Sequence, residues 1–194
     1  FEQQNQKTCY ELLQSKILAQ EPLSLPLVRT IHRTLTEGTY DERRYITNGE
    51  RPGAFKKHDY VTGKNEVGSP PEAVADDLTE LIEEVNAIGA QAPLKAGAYF
   101  HARFENIHPF ADGNGRVGRT LLNYWLMISN YPPLVIYEED RRAYYDALQT
   151  YDEQEDLAPL VTFLEDQTVK TWSRFLKPPA GNAPPRKGLN FFMN

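Results

Sequence analysis

The stretch His108-Pro-Phe-Ala-Asp-Gly-Asn-Gly-Arg-Val-Gly-Arg119 decides how this chain of 194 residues is organised. Within twelve residues it places an imidazole, a carboxylate, an amide with one glycine before it and one after it, and two guanidinium groups. The segment that follows, residues 120–129, is apolar at helical spacing, so the stretch predicts a glycine-rich turn that opens a buried helix. Such a turn binds anions, because free backbone N–H groups and the positive end of the helix dipole point at the ligand.

The residue types in this turn predict a site for transfer of a nucleotidyl or phosphoryl group. Arg116 and Arg119 lie three residues apart, hence on one face of the helix, and two guanidiniums there suit a polyphosphate. Asp112 would repel that polyphosphate unless a divalent cation lay between them, which indicates Mg²⁺. His108 lies just outside the turn and is the candidate general base.

Two other interpretations of these residues account for less of the pattern. A calcium-binding loop that began at Asp112 would require Asp or Asn, then Gly, then Glu at three later positions. This chain has Arg116, Val117 and Asn123 there. A turn in which Asp112 only caps the helix leaves both arginines and the histidine without a role.

The same twelve residues resemble the complete motif of the Fic family, His-x-Phe-x-Asp/Glu-Gly-Asn-Gly-Arg-x-x-Arg, at every specified position. A weaker resemblance extends over residues 23–172. The resemblance implies an all-α fold: a Fic-type helical domain with a small β-hairpin flap over the active site. It also implies a protein adenylyltransferase, which transfers AMP from Mg-ATP to a hydroxyl side chain of a target protein and sometimes to itself.

Carried over to this chain, the resemblance implies a role for each motif residue. His108 is the catalytic base, and Asp112 is the ligand of Mg²⁺. The phosphates of ATP are expected on Gly113, Asn114, Gly115, Arg116 and Arg119. The pair Tyr144 and Tyr145 matches tyrosines that line the adenine pocket in the family, with an ordinary place in the aromatic core as an equal alternative for either residue. Thr62 and Gly63 of the flap are further candidates for contact with the nucleotide.

The flap itself is predicted from residues 39–69, where helical periodicity is lost and glycines recur. The apolar pieces at 60–61 and 66–67 predict a two-stranded hairpin around residues 62–65. Residues 51–56 resemble the lead-in of the family's flap, with Lys56 where the family has Arg. A hairpin here would hold an extended segment of the target protein by main-chain pairing, so a target docked on the flap is the expected partner.

Composition and length predict one domain and exclude several classes of protein. Residues 1–177 are assigned to the Fic domain, with the flap at about 55–69, and the proline-rich residues 178–194 to a tail. A net charge of −6 argues against a nucleic-acid partner. No apolar run is long enough to span a membrane, so a membrane is not expected as a partner. The single Cys9 fits a reducing compartment, so a cytoplasmic location, or delivery into a host cytoplasm, is expected. The chain opens at Phe1 without a signal-peptide pattern, which indicates a trimmed or processed piece.

Helical periodicity predicts helices near residues 4–19, 24–37, 69–87, 93–107, 120–129, 141–150 and 157–176. Two histidines lie on these helices outside the motif. His32 is interpreted as a structural or surface residue, and His101 as a packed, hydrogen-bonded one.

Regulation is predicted from a missing pattern. Many Fic proteins carry an inhibitory helix, Ser/Thr-x-x-x-Glu-Gly/Asn, whose glutamate pairs with the last arginine of the motif. Glutamate is followed by Gly or Asn only at positions 37 and 105, and neither has Ser or Thr four residues earlier. Arg119 is therefore expected to have no such partner in these residues, and the isolated chain is expected to be constitutively active. The inhibitor is then either a separate antitoxin-like chain or a helix upstream of Phe1.

Four other functions remain open on the same residues. The death-on-curing branch of the superfamily transfers phosphate instead of AMP, and its motif departs from Gly-Asn-Gly-Arg. Other relatives transfer UMP or phosphocholine. A protein that binds nucleotide without turnover is the alternative from a different class. The presence of Gly113, Gly115 and Arg119 favours AMP transfer.

Overall fold

The computed structural model describes residues 1–62 and 66–177, and within them the chain forms seven α-helices. They are α1 (Glu2–Leu18), α2 (Leu25–Thr36), α3 (Val74–Ile88), α4 (Pro93–Ile107), α5 (Asn114–Ile128), α6 (Arg141–Gln154) and α7 (Ala158–Leu176). Short helical turns lie at Arg43–Thr47, Pro71–Ala73, Gly89–Gln91 and Glu138–Asp140. The predicted mostly helical fold is confirmed, and each predicted helix is present with its ends moved by a few residues.

The pair α4 and α5 forms the centre of the fold and carries the predicted motif at its turn. The indole N–H of Trp125, late in α5, donates to the carbonyl oxygen of Pro93 at the start of α4 (2.9 Å), so the two helices run antiparallel. They approach closely at Gly118, where a Cβ atom would lie 2.5 Å from Glu105 Oε1 and 3.1 Å from the Phe104 ring. This close approach holds both ends of the connecting loop, residues 108–113, in place.

The other helices pack around this pair. Helices α1 and α2 contact α5, whereas α3, α6 and α7 contact α4. The core consists of fully buried apolar side chains, among them Val28, Ile31, Leu78, Phe100, Phe104, Leu121, Leu122, Leu126 and Leu160. Each such burial stabilises the fold by ~1.5–3 kcal/mol. Among the described helices none combines the length and the apolar character that crossing a bilayer requires.

Local signals explain where two of the helices begin. Ser24 caps α2, because its side chain accepts a hydrogen bond from the Leu27 N–H (3.2 Å), one of the donors that the first turn leaves free. Helix α4 starts at Pro93, where the missing N–H is not needed and the fixed φ suits a helix.

The predicted hairpin is reduced, in the described residues, to a single antiparallel bridge between Thr62 and Glu66. The two residues exchange both backbone hydrogen bonds (2.6 and 3.0 Å). Pairing does not continue outward, because no backbone hydrogen bond joins residues 60 and 68. The carbonyl oxygen of Val67 instead accepts from Lys56 Nζ (2.8 Å). The β-strands of the predicted flap are therefore not seen in the described part of the chain. Gly63, with the rest of 63–65, lies outside the described residues, and so does the predicted tail, 178–194.

Candidate active site

The motif loop, residues 108–113, is bounded by two residues with left-handed backbone. His108 follows the last turn of α4 with φ 52° and ψ 63°. Gly113 precedes α5 with φ 81°, and a Cβ atom there would lie 2.7 Å from Thr36 Cγ2. A non-glycine residue with positive φ is uncommon and tends to occur at functional sites. The two reversals bring His108 and the N-terminus of α5 to the same place.

Asn114 holds this loop together from the first position of α5. Its side chain is buried; Oδ1 accepts from the Phe110 N–H (2.9 Å), and Nδ2 donates to the Phe110 carbonyl oxygen (2.7 Å). The remaining Nδ2 hydrogen points to His108 Nε2 (3.1 Å). Asn114 was expected among the residues that bind the phosphates, but both hydrogens of its side-chain amide are used inside the loop. Its side chain positions His108, and only its backbone N–H is left for an anion.

This contact also assigns the protons of the His108 ring. Because Asn114 Nδ2 donates, Nε2 carries the lone pair and Nδ1 carries the hydrogen. Burial lowers the pKa of His108 to about 4; the positive charge of Lys56 adds to the effect, and the Asp112 carboxylate opposes it. The imidazole is therefore neutral at physiological pH, and its Nε2 can accept a proton once a substrate hydroxyl replaces the Asn114 amide there.

The two motif arginines lie beside the first turn of α5. A Cβ atom at Gly115 would lie 3.1 Å from Arg119 Nη1, and one at Gly113 would lie 3.5 Å from Arg116 Nη2. Both guanidiniums thus accompany backbone N–H groups that have no partner within the helix. This arrangement has the parts that an anion site needs: one helix N-terminus, two cations and glycines that leave the backbone accessible.

Arg116 is already paired in this structure. Its Nη1 donates to Glu2 Oε1 (3.0 Å), so the start of α1 lies against the motif helix. The sequence carried no signal for this ion pair, because the two residues are far apart in the chain and Glu2 belongs to no motif. Within the described residues no carboxylate lies within ion-pair distance of Arg119.

The acid beside Arg119 is Glu105, from the last turn of α4. Its Oε1 is buried and has no hydrogen-bond partner. Burial raises the pKa of Glu105 to about 7, and the positive charge of Arg119 opposes that effect. A carboxyl group that keeps its proton near neutral pH competes only weakly for the guanidinium.

Asp112 is the one carboxylate that the motif loop offers to a cation. Its Oδ1 accepts from the Gly113 N–H (2.8 Å), which fixes the carboxylate beside the N-terminus of α5. In residues 1–62 and 66–177 no three His, Cys, Asp or Glu side chains are grouped as a ready-made metal site. Mg²⁺ nevertheless fits this arrangement, since it commonly binds one or two carboxylates together with the phosphates of a substrate.

His32 is a residue of this site that the sequence interpretation missed. Its Nδ1 accepts from the Gly53 N–H (2.8 Å), and its Nε2 donates to the Asp112 carbonyl oxygen (2.9 Å). Its ring stacks on Phe110, with centroids 3.7 Å apart and planes 5° apart. Burial lowers its pKa to about 4, which keeps the two bonds in this neutral form. The available signal was a histidine on the apolar face of α2, since a buried imidazole needs partners at both nitrogens.

The tyrosine pair of α6 separates into two environments. Tyr144 is fully buried, and its hydroxyl lies 2.6 Å from His101 Nε2. It is a core residue, and His101 is packed and hydrogen-bonded as the sequence predicted. Tyr145 is 53% exposed, so only Tyr145 offers a ring face to a ligand.

A polar cavity of about 490 Å³ lies between the flap and the ends of α4 and α6. It is lined by Thr62, Glu66, Val67, Gly68, Ser69, Glu105, Asn106 and Asp152. Thr62 lines this cavity, and its hydroxyl is directed at the Glu66 carbonyl oxygen (3.2 Å).

Comparison with known proteins assigns the chain to a family. The model of the Fic/DOC family matches residues 22–126, and this chain belongs to that family. A protein adenylyltransferase Fic from Aedes aegypti is 44% identical over 84 residues, which cover 43% of this chain and 17% of that protein. A protein of the same name from Drosophila persimilis is 32% identical over 162 residues, covering 82% of this chain and 32% of that protein. The chain thus spans less than a third of the length of these relatives.

The fold has a counterpart among solved structures. A Fic-domain-containing signaling protein from Bacteroides thetaiotaomicron aligns with a TM-score of 0.76 over 89% of this chain and 69% of that one. At 24% identity, this similarity concerns the fold.

Proposed function

We propose that this chain is a protein adenylyltransferase, which transfers AMP from ATP to a hydroxyl side chain of a target protein. The observation that carries the proposal is the placement of His108. Its Nε2 lone pair is held by Asn114 beside a helix N-terminus that Arg116 and Arg119 accompany. The names of the Aedes and Drosophila relatives support the same activity.

The triphosphate would bind at the start of α5. The free backbone N–H groups of residues 114 and 115 would face the α-phosphate, and Arg116 and Arg119 would bind the β- and γ-phosphates. The Gly113 N–H already donates to Asp112 Oδ1 (2.8 Å), so Gly113 contributes an open backbone and no donor. Asp112 would hold Mg²⁺, which supplies charge neutralisation for the phosphates. Arg116 must exchange its Glu2 partner for phosphate oxygen, whereas Arg119 needs no such exchange within the described residues.

In the transfer step the protein itself makes and breaks few covalent bonds. The target hydroxyl replaces Asn114 Nδ2 at the His108 Nε2 lone pair and gives its proton to that nitrogen as its oxygen forms a bond to the α-phosphorus. The bond between that phosphorus and the bridging oxygen of the β-phosphate breaks, and pyrophosphate leaves. Positioning and charge stabilisation supply most of the acceleration, because the reacting groups arrive already oriented. His108 is the only group that has to move a proton.

The base of the nucleotide would lie against Tyr145, whose exposed ring offers a stacking surface. The buried ring of Tyr144 packs against that of Tyr145 and supports the first turns of α6. Thr62 and Gly63 remain the proposed contacts from the flap.

The target segment would dock along the flap as an added strand. Val61 and Val67, on either side of the Thr62–Glu66 bridge, are 66% and 38% exposed. An extended peptide that paired with this edge would bring its hydroxyl over His108.

We extend the Fic domain over residues 1–177, with the flap at 55–69 and the motif at 108–119. We also propose a reducing, cytoplasmic setting for the protein.

A groove beside the arginines suits the expected inhibitor. It has a volume of about 410 Å³, and residues of α1 and α5 line most of it, including Cys9, Leu13, Ile17 and Met127. Arg116 and Arg119 line the same groove near the start of α5. An amphipathic helix would bury its apolar face there, and a carboxylate on it would compete with the γ-phosphate for Arg119. Such a helix, on this polypeptide or on another, is the regulatory partner that we propose.

Intact mass of the purified chain tests the proposal. Without the inhibitory helix, incubation with ATP and magnesium should add the mass of one AMP residue to the chain, and His108→Ala should abolish the addition. A phosphate's mass would instead indicate the alternative transfer. Tight ATP binding with no added mass on the chain, or on any protein of a host lysate, would contradict transferase activity and favour a nucleotide-binding protein without turnover.

A further inference from the structure

Lys56, in the lead-in to the flap, has an unusual environment for a lysine. Its side chain is only 2% exposed, although lysine is almost never fully buried without a partner. Its Nζ donates to the carbonyl oxygen of Val67 (2.8 Å), and no carboxylate of the described residues lies within ion-pair distance of it. Burial lowers the pKa of this amine, and the nearby Asp59 opposes that effect.

The bonds of Lys56 connect three segments. Its backbone N–H donates to the carbonyl oxygen of Pro109, directly after His108 (2.9 Å). Its ammonium group reaches across the flap to Val67, on the returning edge. Two residues later the Ser69 N–H donates to the carbonyl oxygen of Ile107, directly before His108 (3.0 Å). Both edges of the flap are thereby attached to the backbone on either side of the proposed base.

The returning edge also packs directly against His108. Gly68 adopts φ 72°, and a Cβ atom there would lie 2.8 Å from His108 Cβ and 2.5 Å from the Ile107 carbonyl oxygen. The spacing between the flap and His108 therefore depends on how closely residues 67–69 are held. Between the Thr62–Glu66 bridge and the Ser69 anchor, the Lys56 ammonium supplies the hydrogen bond that holds this edge.

We propose that Lys56 is a positioning residue that clamps the returning edge of the flap against the motif loop and so sets where a target hydroxyl meets His108. This inference rests on the proposed transferase function, because it assigns a role to the flap in that reaction. A positional error of about 1 Å can lower a rate by about 100-fold. Loss of the clamp should therefore lower the rate of the transfer step and leave the affinity for nucleotide unchanged.

Hydrogen–deuterium exchange of the chain tests the clamp without any need for activity. Lys56→Met should speed exchange of the Thr62, Glu66 and Ser69 amides, while the amides of α4 and α5 keep their protection. Lys56→Arg should restore slow exchange, because a guanidinium can also donate to the Val67 carbonyl. Lys57→Met is the matched control: this neighbouring lysine is exposed, and its variant should exchange like the original chain.

A second measurement tests the positioning role. The rate of self-modification by ATP, followed by intact mass, should fall by roughly 10- to 100-fold in Lys56→Met and recover in Lys56→Arg. The dissociation constant of a non-hydrolysable ATP analogue should stay within about twofold, since Lys56 touches no phosphate-binding residue. If Lys56→Met fails to fold, Lys56→Gln is used instead. The glutamine side chain is one bond shorter than that of lysine, so its amide does not reach the Val67 carbonyl oxygen.

Two results would overturn the inference. Unchanged exchange at the three flap amides in a folded Lys56 variant would show that the lysine clamps nothing. Faster exchange with an unchanged transfer rate would show that the clamp does not position the reaction. If no protein receives AMP at all, the proposed function fails, while the exchange arm still decides whether the clamp exists.

Discussion

The motif loop and the flap face each other across the proposed reaction site and are built in opposite ways. The loop is part of the core: Phe110 is fully buried, Asn114 makes three hydrogen bonds across it, and His32 binds it from α2. The flap is attached at its two ends and crossed by one bridge, with apolar side chains left exposed. Groups that must be held within tenths of an ångström lie on rigid elements, whereas a surface that receives a partner is tied more loosely.

The largest expected effect comes from the loop's own base. His108→Ala should lower the rate of AMP transfer by about 10²–10⁴-fold, because removal of a positioned general base has that effect. Binding of ATP should persist, since His108 does not contact the phosphates. Transfer rates and ATP affinity measured on one preparation check this. A variant that kept the original rate would remove His108 from the catalytic role.

Asn114→Ala should come next, because it deletes the bonds that orient His108. A loss of about 100-fold in rate is expected from the displaced imidazole. Asn123→Ala is a matched control on the same helix: Asn123 forms the same pair of backbone bonds with Leu134 (2.9 Å each), far from any histidine. Both variants should lose similar stability in urea unfolding, but only Asn114→Ala should lose activity. Equal activity losses would contradict the orienting role.

Acidification should destabilise the fold through the histidines packed in and behind the loop. Burial lowers the pKa of His32, His101 and His108 to about 4. As pH falls from 6.5 towards 4, the unfolded chain takes up protons that the folded chain refuses, which removes about 3 kcal/mol of stability per histidine. Glu105, with its pKa raised to about 7, acts in the opposite direction, and so does Asp152, whose pKa burial also raises, but the three histidines outweigh them. Urea midpoints between pH 7 and 5 should fall, and a flat profile would contradict the assigned burial.

The tyrosine pair extends the contrast between packed and exposed groups to the nucleotide base. Tyr145→Ala should raise the KM for ATP roughly tenfold with little change in stability, because a stacking ring is worth ~1–3 kcal/mol. Tyr144→Ala should instead lower the free energy of unfolding by about 3–5 kcal/mol, as for other large core residues. Steady-state kinetics and urea unfolding of both variants distinguish the roles. Reversed outcomes would exchange them.

The smallest effect is expected at Glu2. Glu2→Gln frees Arg116 and should increase ATP affinity by at most about fivefold, because an ion pair this exposed contributes no more than ~1 kcal/mol. Titration calorimetry with a non-hydrolysable ATP analogue at low and high salt measures the gain. The gain should shrink as salt rises, and a salt-independent gain would contradict an ionic cause.

Local sequence was sufficient to predict most of the helical fold. Apolar residues at helical spacing predicted all seven helices, and Ser24 and Pro93 marked two helix starts. The hairpin prediction fared less well, because alternation of apolar residues indicates a strand but not how far its partner pairs with it. Beyond Thr62 and Glu66 no further backbone pairing forms in the described residues, and the side chain of Lys56 instead binds the returning edge at Val67.

The sequence by itself determined that His108, Asp112 and the two arginines would meet at a helix N-terminus, since all of them lie within one turn and the helix it opens. Only the tertiary structure decided how those groups are used. Asn114 turns inward to His108, Tyr144 is buried and Tyr145 is exposed, Glu2 reaches Arg116, and His32 joins Gly53 to Asp112. These contacts depend on how distant helices pack, and packing is decided by the shape and hydrogen-bonding needs of the whole core.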